Sequence, residues 1–433
     1  MTDLLAARGQ MAMSLAFHII FAVLGIGMPL LMVLAEREWL RTGESLWLDL
    51  AKRWAKGTAI LFAVGAVSGT VLSFELGLLW PRFMEYAGAI IGMPFSLEGF
   101  AFFTEAIFLG VYLYGWNRLR PRAHWWAGVA VTVSGTISGV FVVLANAWMN
   151  APTGFRLVDG RPVDIDPIAA MFSPAAVPQA LHMTIAAFAA TGIAIAGISA
   201  AALRRDPTVA VHRAALRLAL LVAVPASLLQ VVTGDLSAKF VARWQPTKLA
   251  AMEGQFATER GAALRIGGVP DETAGTTRYA LEIPKGLSLL AFGDPQAEVR
   301  GLDAVPREDW PPVLITHLAF QIMVGLGTLM AAAACWVLLC WGRRRDPADS
   351  RPLLTLLAAL MPAGFLAVEA GWVVTEVGRQ PWIIQGVMRT AEAVTPMPGL
   401  AVPFALFTLL YLFLGAVVCW LLWTQIVKMP THA

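Results

Sequence analysis

Charge is scarce in this chain, and cysteine, histidine and tyrosine are scarcer still. Asp, Glu, Lys and Arg make up 14% of its 433 residues, against about 25% in soluble domains, which excludes an ordinary soluble globular protein. The net charge of +3 is too small for a nucleic-acid-binding surface, so no nucleic-acid partner is expected. The three cysteines, Cys335, Cys340 and Cys419, lie inside apolar runs without CxxC spacing. Neither a disulfide framework nor a zinc site is signalled, and the lack of CxxCH argues against covalently attached c-type haem. The first residues, MTDLLAARGQMAMSLAF, have no basic n-region and no small-residue cleavage site before a long apolar run. They read as retained in the mature protein.

What fills the chain is apolar: 58% of the residues are hydrophobic and the mean hydropathy is +0.67. Crossing a bilayer takes about 20 consecutive apolar residues. Such stretches are expected at 12–35, 57–80, 94–116, 125–147, 178–203, 215–234, 312–341, 353–376 and 400–427. The fold class expected is therefore all-α, a polytopic membrane bundle of nine transmembrane helices. An odd number places the two termini on opposite sides. Arg37, Arg41, Lys52, Arg53, Lys56, Arg118, Arg120, Arg122, Arg204, Arg205, Arg213, Arg217, Arg343, Arg344, Arg345, Arg351 and Lys428 gather on one side, 17 of the 32 basic residues. The N-terminus and the short connections opposite hold six: Arg8, Arg82, Arg156, Arg161, Arg379 and Arg389. Since short basic connections stay in the cytoplasm, the N-terminus is expected outside and the C-terminus inside.

The domain organisation expected is 1–234 with six helices, an extracytoplasmic excursion at 235–311, and 312–433 with three more. The excursion holds the other nine basic residues and 11 acidic ones. A connection of such length is usually functional or disordered. Aromatic and apolar residues in WQPTKLAAMEGQF and YALEIPKGLSLL favour an ordered binding loop. No internal repeat is evident, which speaks against a transporter built of inverted halves.

Ionisable groups inside a span are costly and point to function. Here they are His18, Glu75, Glu98, Glu105, His182, His317, Glu369 and Glu376, with Met323 as a soft donor. With the orientation above, almost all of them fall in one outer layer of the bundle, Glu105 being deeper. A His/Met pair is an axial ligand set of low-spin haem iron, and His182 and Met323 sit at similar depth on different helices. Glu98 and Glu105, in LEGFAFFTEAIF, are seven residues apart and share a helix face, as a proton relay needs. Glu369, Trp372, Glu376 and Arg379 share another face. There a glutamate could ligate iron or pair with the arginine, and an arginine could grip a haem propionate.

The motifs EAGWVVTE followed by GRQPW, with LEGFAFF, NAWMN, GWNRL, PTKLAAMEGQF and FQIMVG, resemble subunit I of the cytochrome bd-type quinol oxidases. They occur in the same order over nearly the whole chain. The short outer loop and YALEIPKGLSLLAFGDP resemble the short-loop, cyanide-insensitive branch. This resemblance implies three haems: a low-spin haem b, a high-spin haem b, and a haem d or further haem b. It implies His182 and Met323 as ligands of the low-spin haem, and His18 and Glu376 as ligands of the two high-spin haems. Glu98 would stand beside the oxygen-reducing haem, with Glu105 and Ser138 on the proton path from inside. Arg8 and Arg379 would hold propionates, and Trp372 would stand between or beside the high-spin pair. Lys248 and Glu253, in PTKLAAMEG, match the residues linked to quinol oxidation. Gln321 stands where well-known members carry an arginine. His317 and Glu75 are expected to be structural hydrogen-bonding residues.

The resemblance further implies a bacterial cytoplasmic membrane protein that oxidises ubiquinol or menaquinol outside and reduces O2 to water with protons from inside. A second membrane subunit would complete a heterodimer in membrane lipid, with room for a small accessory subunit. Other readings are a haem electron relay that never reduces O2 and an ion-coupled transporter whose carboxylates bind cations. A haem–copper oxidase fails on count, because His124, His212 and His432 lie at loops or span ends and too few membrane histidines remain.

Overall fold

The computed structural model describes residues 2–427. Its helices, in chain order, are α1 (Asp3–Thr42), α2 (Ser45–Leu79), α3 (Pro81–Gly115), α4 (Pro121–Asn150), α5 (Pro167–Met171), α6 (Ala176–Arg205) and α7 (Ala210–Trp244). There follow α8 (Pro246–Glu253), α9 (Gly286–Phe292), α10 (Val313–Gly342), α11 (Arg351–Ala359), α12 (Ala363–Val377), α13 (Thr390–Ala393) and α14 (Ala401–Leu422). Among the described residues nine segments are long and apolar enough to cross a membrane, with α11 and α12 together forming the eighth. Lys428, expected to close the last span, lies outside the described residues.

The helices overrun the apolar stretches that mark them. The first span is expected at 12–35, yet α1 runs 40 residues, or about 60 Å at 1.5 Å per residue, twice the roughly 30 Å of a hydrocarbon core. It starts where the Thr2 hydroxyl accepts the Leu5 N–H and stops at Gly43, whose φ of 74° ends the helix in the left-handed region. The sixth span departs most from expectation. Its helix continues ten residues beyond 234, through Asp235–Lys239, a one-turn ion pair of 2.6 Å, to Trp244. The polar excursion therefore begins at 245 rather than 235. The eighth span is not one helix. It breaks at 360–362, where Pro362 lacks the N–H that would continue α11 and the chain tightens through the Leu360 carbonyl to the Ala363 N–H.

Successive helices run antiparallel, so the bundle has two unlike ends. One carries the turns at 43–44, 116–120, 206–209 and 343–350; the other carries Trp80, 151–175, 245–312 and 378–400. We refer to the second as the loop end. Asp3 is tied there, its Oδ1 accepting from the N–H groups of Gly399 and Leu400. The seam of α6, α7, α10 and α11 is filled by small residues, with Ala196, Ala200, Ala219 and Ala333 fully buried between Leu203, Leu216 and Leu353. Small side chains let helices meet closely where lipid gives no hydrophobic drive.

The excursion at 245–312 is ordered. It comprises α8, α9 and short antiparallel ribbons pairing 259–260 with 298–299, 264–266 with 281–283, and 269–271 with 276–278. Its apolar face, Leu249, Ala262, Leu287, Ala291 and Val299, packs with Ala242 of α7. Gln321 of α10 fastens it to the bundle, accepting the Gly267 N–H at 2.9 Å and donating to the Arg265 carbonyl at 3.0 Å. His317, one turn earlier, lies with Nδ1 2.8 Å from the Met252 carbonyl and Nε2 3.1 Å from the Gly267 carbonyl.

Candidate functional site

The polar residues of the spans cluster towards the loop end. Heptad spacing places Glu98 and Glu105 on one face of α3, and that face lies against α4. Ser138 Oγ donates to Glu98 Oε1 at 3.1 Å. Glu105 is buried, and its carboxyl fills a notch at Gly135, where a Cβ would stand 3.0 Å from the carboxyl carbon. The three residues named from the sequence thus share one interface, though the two carboxyls do not bond to one another.

His18 on α1 faces α2. Its Nδ1 lies 2.9 Å from Ser68 Oγ, which itself donates to the Val64 carbonyl. The Ser68 hydroxyl hydrogen is committed to main-chain carbonyls of its own helix, so its lone pair can accept a hydrogen bond from Nδ1–H, which leaves the Nε2 lone pair free. His182 on α6 meets Gln230 and Thr233 of α7, with Gln230 Nε2 3.1 Å from both ring nitrogens. Met323 on α10 packs with Met252 of α8 and with Ala370 and Val374 of α12, its Sδ facing Gly371. Trp372 packs against the cluster of Ile19, Val23, Ile26, Ala187 and Ala190 in the seam of α1 and α6, as does Met183, the residue after His182.

Glu376 sits one residue from the end of α12. Asn146 Nδ2 donates to its Oε1 at 2.6 Å, and Arg379 Nη2 donates to its Oε2 at 2.5 Å. Arg379 is 2% exposed. Lys248 and Glu253, at the two ends of α8, are both buried, but they do not bond to each other. Lys248 Nζ donates to Asn150 Oδ1 at 2.8 Å and to the Thr375 carbonyl at 3.3 Å. Burial, aided by the nearby Arg379 charge, holds the Lys248 ammonium down to about 7, while Glu376 opposes that shift. Burial pushes the Glu253 carboxyl up to about 8, against the pull of Arg265. Arg8 is half-buried on α1 and makes no hydrogen bond or ion pair among the described residues.

Several of these groups keep hydrogen-bonding capacity that no described residue takes up. Among the described residues, Arg379 Nε and Nη1 are buried without a partner, as are Gln230 Oε1 and Glu369 Oε1. Two buried guanidinium nitrogens with unpaired N–H groups suit an anionic group such as a haem propionate. Imidazole and thioether are donors that haem iron takes, and each Glu376 oxygen keeps a lone pair beyond those engaged by Asn146 and Arg379. The residues present fit haem.

Two features escaped the sequence reading. One is the pair Asn146 and Asn150, which join Glu376 to Lys248. The other lies near the opposite end of the bundle, where Glu36 and His124 are both buried and His124 Nδ1 stands 2.8 Å from Glu36 Oε1. His124 Nε2 lies 2.8 Å from the Tyr112 carbonyl, and the imidazole stacks near Trp116 with centroids 4.1 Å apart. His124 does lie near a span end, as expected, but it is a core residue rather than a loop histidine. Glu75 accepts from Gln10 Nε2 at 2.9 Å, a structural bond of the kind expected for it and for His317.

Residues 6–430 match the family model described as cytochrome bd terminal oxidase subunit I. The chain is 36% identical over 436 residues to a putative cytochrome bd menaquinol oxidase subunit I of Bacillus subtilis, covering 99% of this chain and 98% of that one. It is 32% identical over 447 residues to the cytochrome bd ubiquinol oxidase subunit 1 of the same organism, covering 100% and 95%. The structure of the bd oxidase from Geobacillus thermodenitrificans superposes with a TM-score of 0.92 at 39% identity, over 99% of both chains. With nearly its full length matched in sequence and in fold, the chain belongs to the cytochrome bd terminal oxidase subunit I family.

Proposed function

We propose that this chain is the haem-bearing subunit of a bacterial terminal oxidase that oxidises quinol at the loop end and reduces O2 to water. The observation that carries the reading is the concentration of His18, His182, Met323, Glu376 and the buried, half-unpaired Arg379 towards one end of the bundle, beneath an ordered loop. Sixteen of the basic residues counted above, all but Lys428, flank the other end, which by the positive-inside rule supports a loop end outside the cytoplasmic membrane. Three haems, including a haem d or a second high-spin haem b, would occupy this layer, and a second membrane subunit would cover the lipid-exposed faces.

Haem iron, when bound, supplies one-electron transfer and an open position for O2. His182 and Met323 would hold the low-spin haem, and His18 and Glu376 the high-spin pair. Arg379, and Arg8 near the start of α1, would neutralise propionates. Trp372 keeps the space between the α1 and α6 ligands apolar and rigid. Lys248 and Glu253 bind quinol. A lysine held near neutrality can donate to a quinol oxygen, and a carboxyl raised to about 8 can exchange a proton at working pH. Glu105, Ser138 and Glu98 move protons in the other direction, from the inner half of the bundle towards the oxygen site. Ser138 bonds Glu98 and Glu105 lies against Gly135 on the same α3/α4 interface, a placement that suits such a relay. Quinol and proton sites on opposite sides would generate a membrane voltage without a pump.

The test separates the loop from the rest. Lys248→Ala should impair quinol oxidation far more than oxygen uptake with an artificial donor that bypasses the loop. Equal loss in both assays refutes the role given to the loop.

A further inference from the structure

Lys248 and Glu376 stand on different elements, yet an unbroken set of hydrogen bonds joins them through one face of α4. Lys248 Nζ donates to Asn150 Oδ1 at 2.8 Å. Asn150 Nδ2 donates to Asn146 Oδ1 at 3.1 Å and to the Asn146 carbonyl at 3.0 Å. Asn146 Nδ2 donates to Glu376 Oε1 at 2.6 Å. The two asparagines are four residues apart and hence stacked on one helix face. The Glu376 end of the chain fixes its direction, because a carboxylate can only accept. Each amide must therefore turn its oxygen towards Lys248 and its N–H groups towards Glu376.

The surroundings reinforce this arrangement. Asn150 is 1% exposed, and Gln245, which caps the start of α8, donates to its Oδ1 and its carbonyl at 3.1 Å each. Lys248 also reaches the carbonyl of Thr375, the residue before Glu376. No member of such a chain can turn over alone without leaving a donor facing a donor, or an acceptor facing an acceptor. At the buried Lys248 and Asn150 that is heavily penalised.

We propose that Asn150 and Asn146 are positioning residues that set the Lys248 helix and the Glu376 carboxylate as one unit, so that a quinone seated against α8 is sensed at Glu376. The inference rests on the assignment of quinol to Lys248 and of haem iron to Glu376. Coupling of this kind is reciprocal, so the environment of Glu376 also bears on how tightly the loop holds quinol. Neither asparagine needs to touch quinol or iron.

The experiment uses the assembled oxidase with both subunits, as wild type, Asn150→Leu and Asn150→Asp. The high-spin haem absorption is recorded before and after saturation with decylubiquinone, and KM and kcat are measured with decylubiquinol. Wild type should show a quinone-induced shift of the high-spin band. Both variants should lose that shift while keeping the low-spin band of the His182/Met323 haem, which reports that the subunit is folded. Asn150→Leu, which strips Lys248 of its acceptor, should raise KM about tenfold with a smaller change in kcat. Asn150→Asp keeps that acceptor but cannot donate to Asn146, so its KM should stay within about threefold of wild type. If Asn150→Leu fails to assemble, Asn150→Asp decides alone. A quinone-induced shift that persists in the variants overturns the proposal, as does its absence from a wild type whose low-spin haem decylubiquinol reduces. A wild type that decylubiquinol cannot reduce overturns the underlying assignment as well, and that failure is recognisable before any variant is made.

Discussion

The Sδ atom of Met323 lies 3.0 Å from the point where a Cβ on Gly371 would stand. Helices α10 and α12 therefore meet at the thioether only because position 371 carries no side chain. Substituting Gly371→Ala should displace Met323 by several tenths of an ångström and shift or weaken the reduced low-spin haem band. Met323→Leu should abolish that band while the other haems survive. Reduced-minus-oxidised spectra of the two variants check both outcomes, and an unchanged low-spin band in Met323→Leu contradicts the ligand assignment.

Glu105 and Gly135 form a second close fit. A side chain at 135 would press on the carboxyl, so Gly135→Val should lower quinol-dependent oxygen uptake in the same way as Glu105→Gln. General acid–base groups contribute about 100-fold or more to rate, and a loss of that order in kcat, with KM for quinol little changed, is expected for Glu105→Gln. Steady-state oxygen uptake measures it. Ser138→Ala, which leaves both carboxyls but removes the bond to Glu98, should give a milder loss.

Lys248 and Glu253 give the α8 segment a predictable response to pH. Glu253 has a folded pKa raised from 4.5 to about 8, so its stabilising contribution is fully present below 4.5 and is lost as pH rises through 8. Lys248 has a folded pKa lowered from 10.5 to about 7. Its contribution is present above 10.5 and is lost as pH falls through 7. The two slopes cancel between about 7 and 8, where local stability passes through a shallow minimum. Hydrogen exchange of residues 246–253, corrected for intrinsic rates, should show that minimum. Glu253→Gln should flatten the acid side and leave the alkaline side in place.

The buried pair of Glu36 and His124 lies far from the loop end and bears on stability. His124→Leu leaves the Glu36 carboxyl buried without its partner and should cost about 3–5 kcal/mol. The double variant Glu36→Leu/His124→Leu should recover much of that loss. Thermal unfolding of the solubilised complex separates the two cases, and equal destabilisation in both would show that the pairing does not matter.

The parts of this protein legible in its sequence are those written in long runs or in residues costly to bury. Nine apolar stretches announced the spans, and membrane carboxylates, histidines and arginine announced the polar layer towards the loop end. The ends of helices were not legible, because α1 and α7 continue as polar helices once they leave the apolar region, held by caps and local ion pairs. The break at 360–362 had its signal in Pro362, which an average over an apolar stretch conceals. Glu36 was missed because a charge at the end of an apolar run resembles an interfacial residue, and only its contact with His124 shows that it is buried. Asn146 and Asn150 were missed because uncharged amides scarcely alter the hydropathy of a span. Their importance lies in joining α8 to α12, a relationship of the folded protein that no local pattern encodes. The ribbons of the 245–312 loop are two or three residues long, too short for alternation to mark them.

The central claim is that the layer of His18, His182, Met323, Glu376 and Arg379 exists to hold iron porphyrins. The most direct measurement is the optical spectrum of the purified protein, reduced and oxidised, together with its pyridine haemochrome. A strong Soret band, a reduced low-spin α-band that depends on Met323, and a separate high-spin component that shifts with carbon monoxide are the predicted result. A colourless preparation without Soret absorbance would contradict the account.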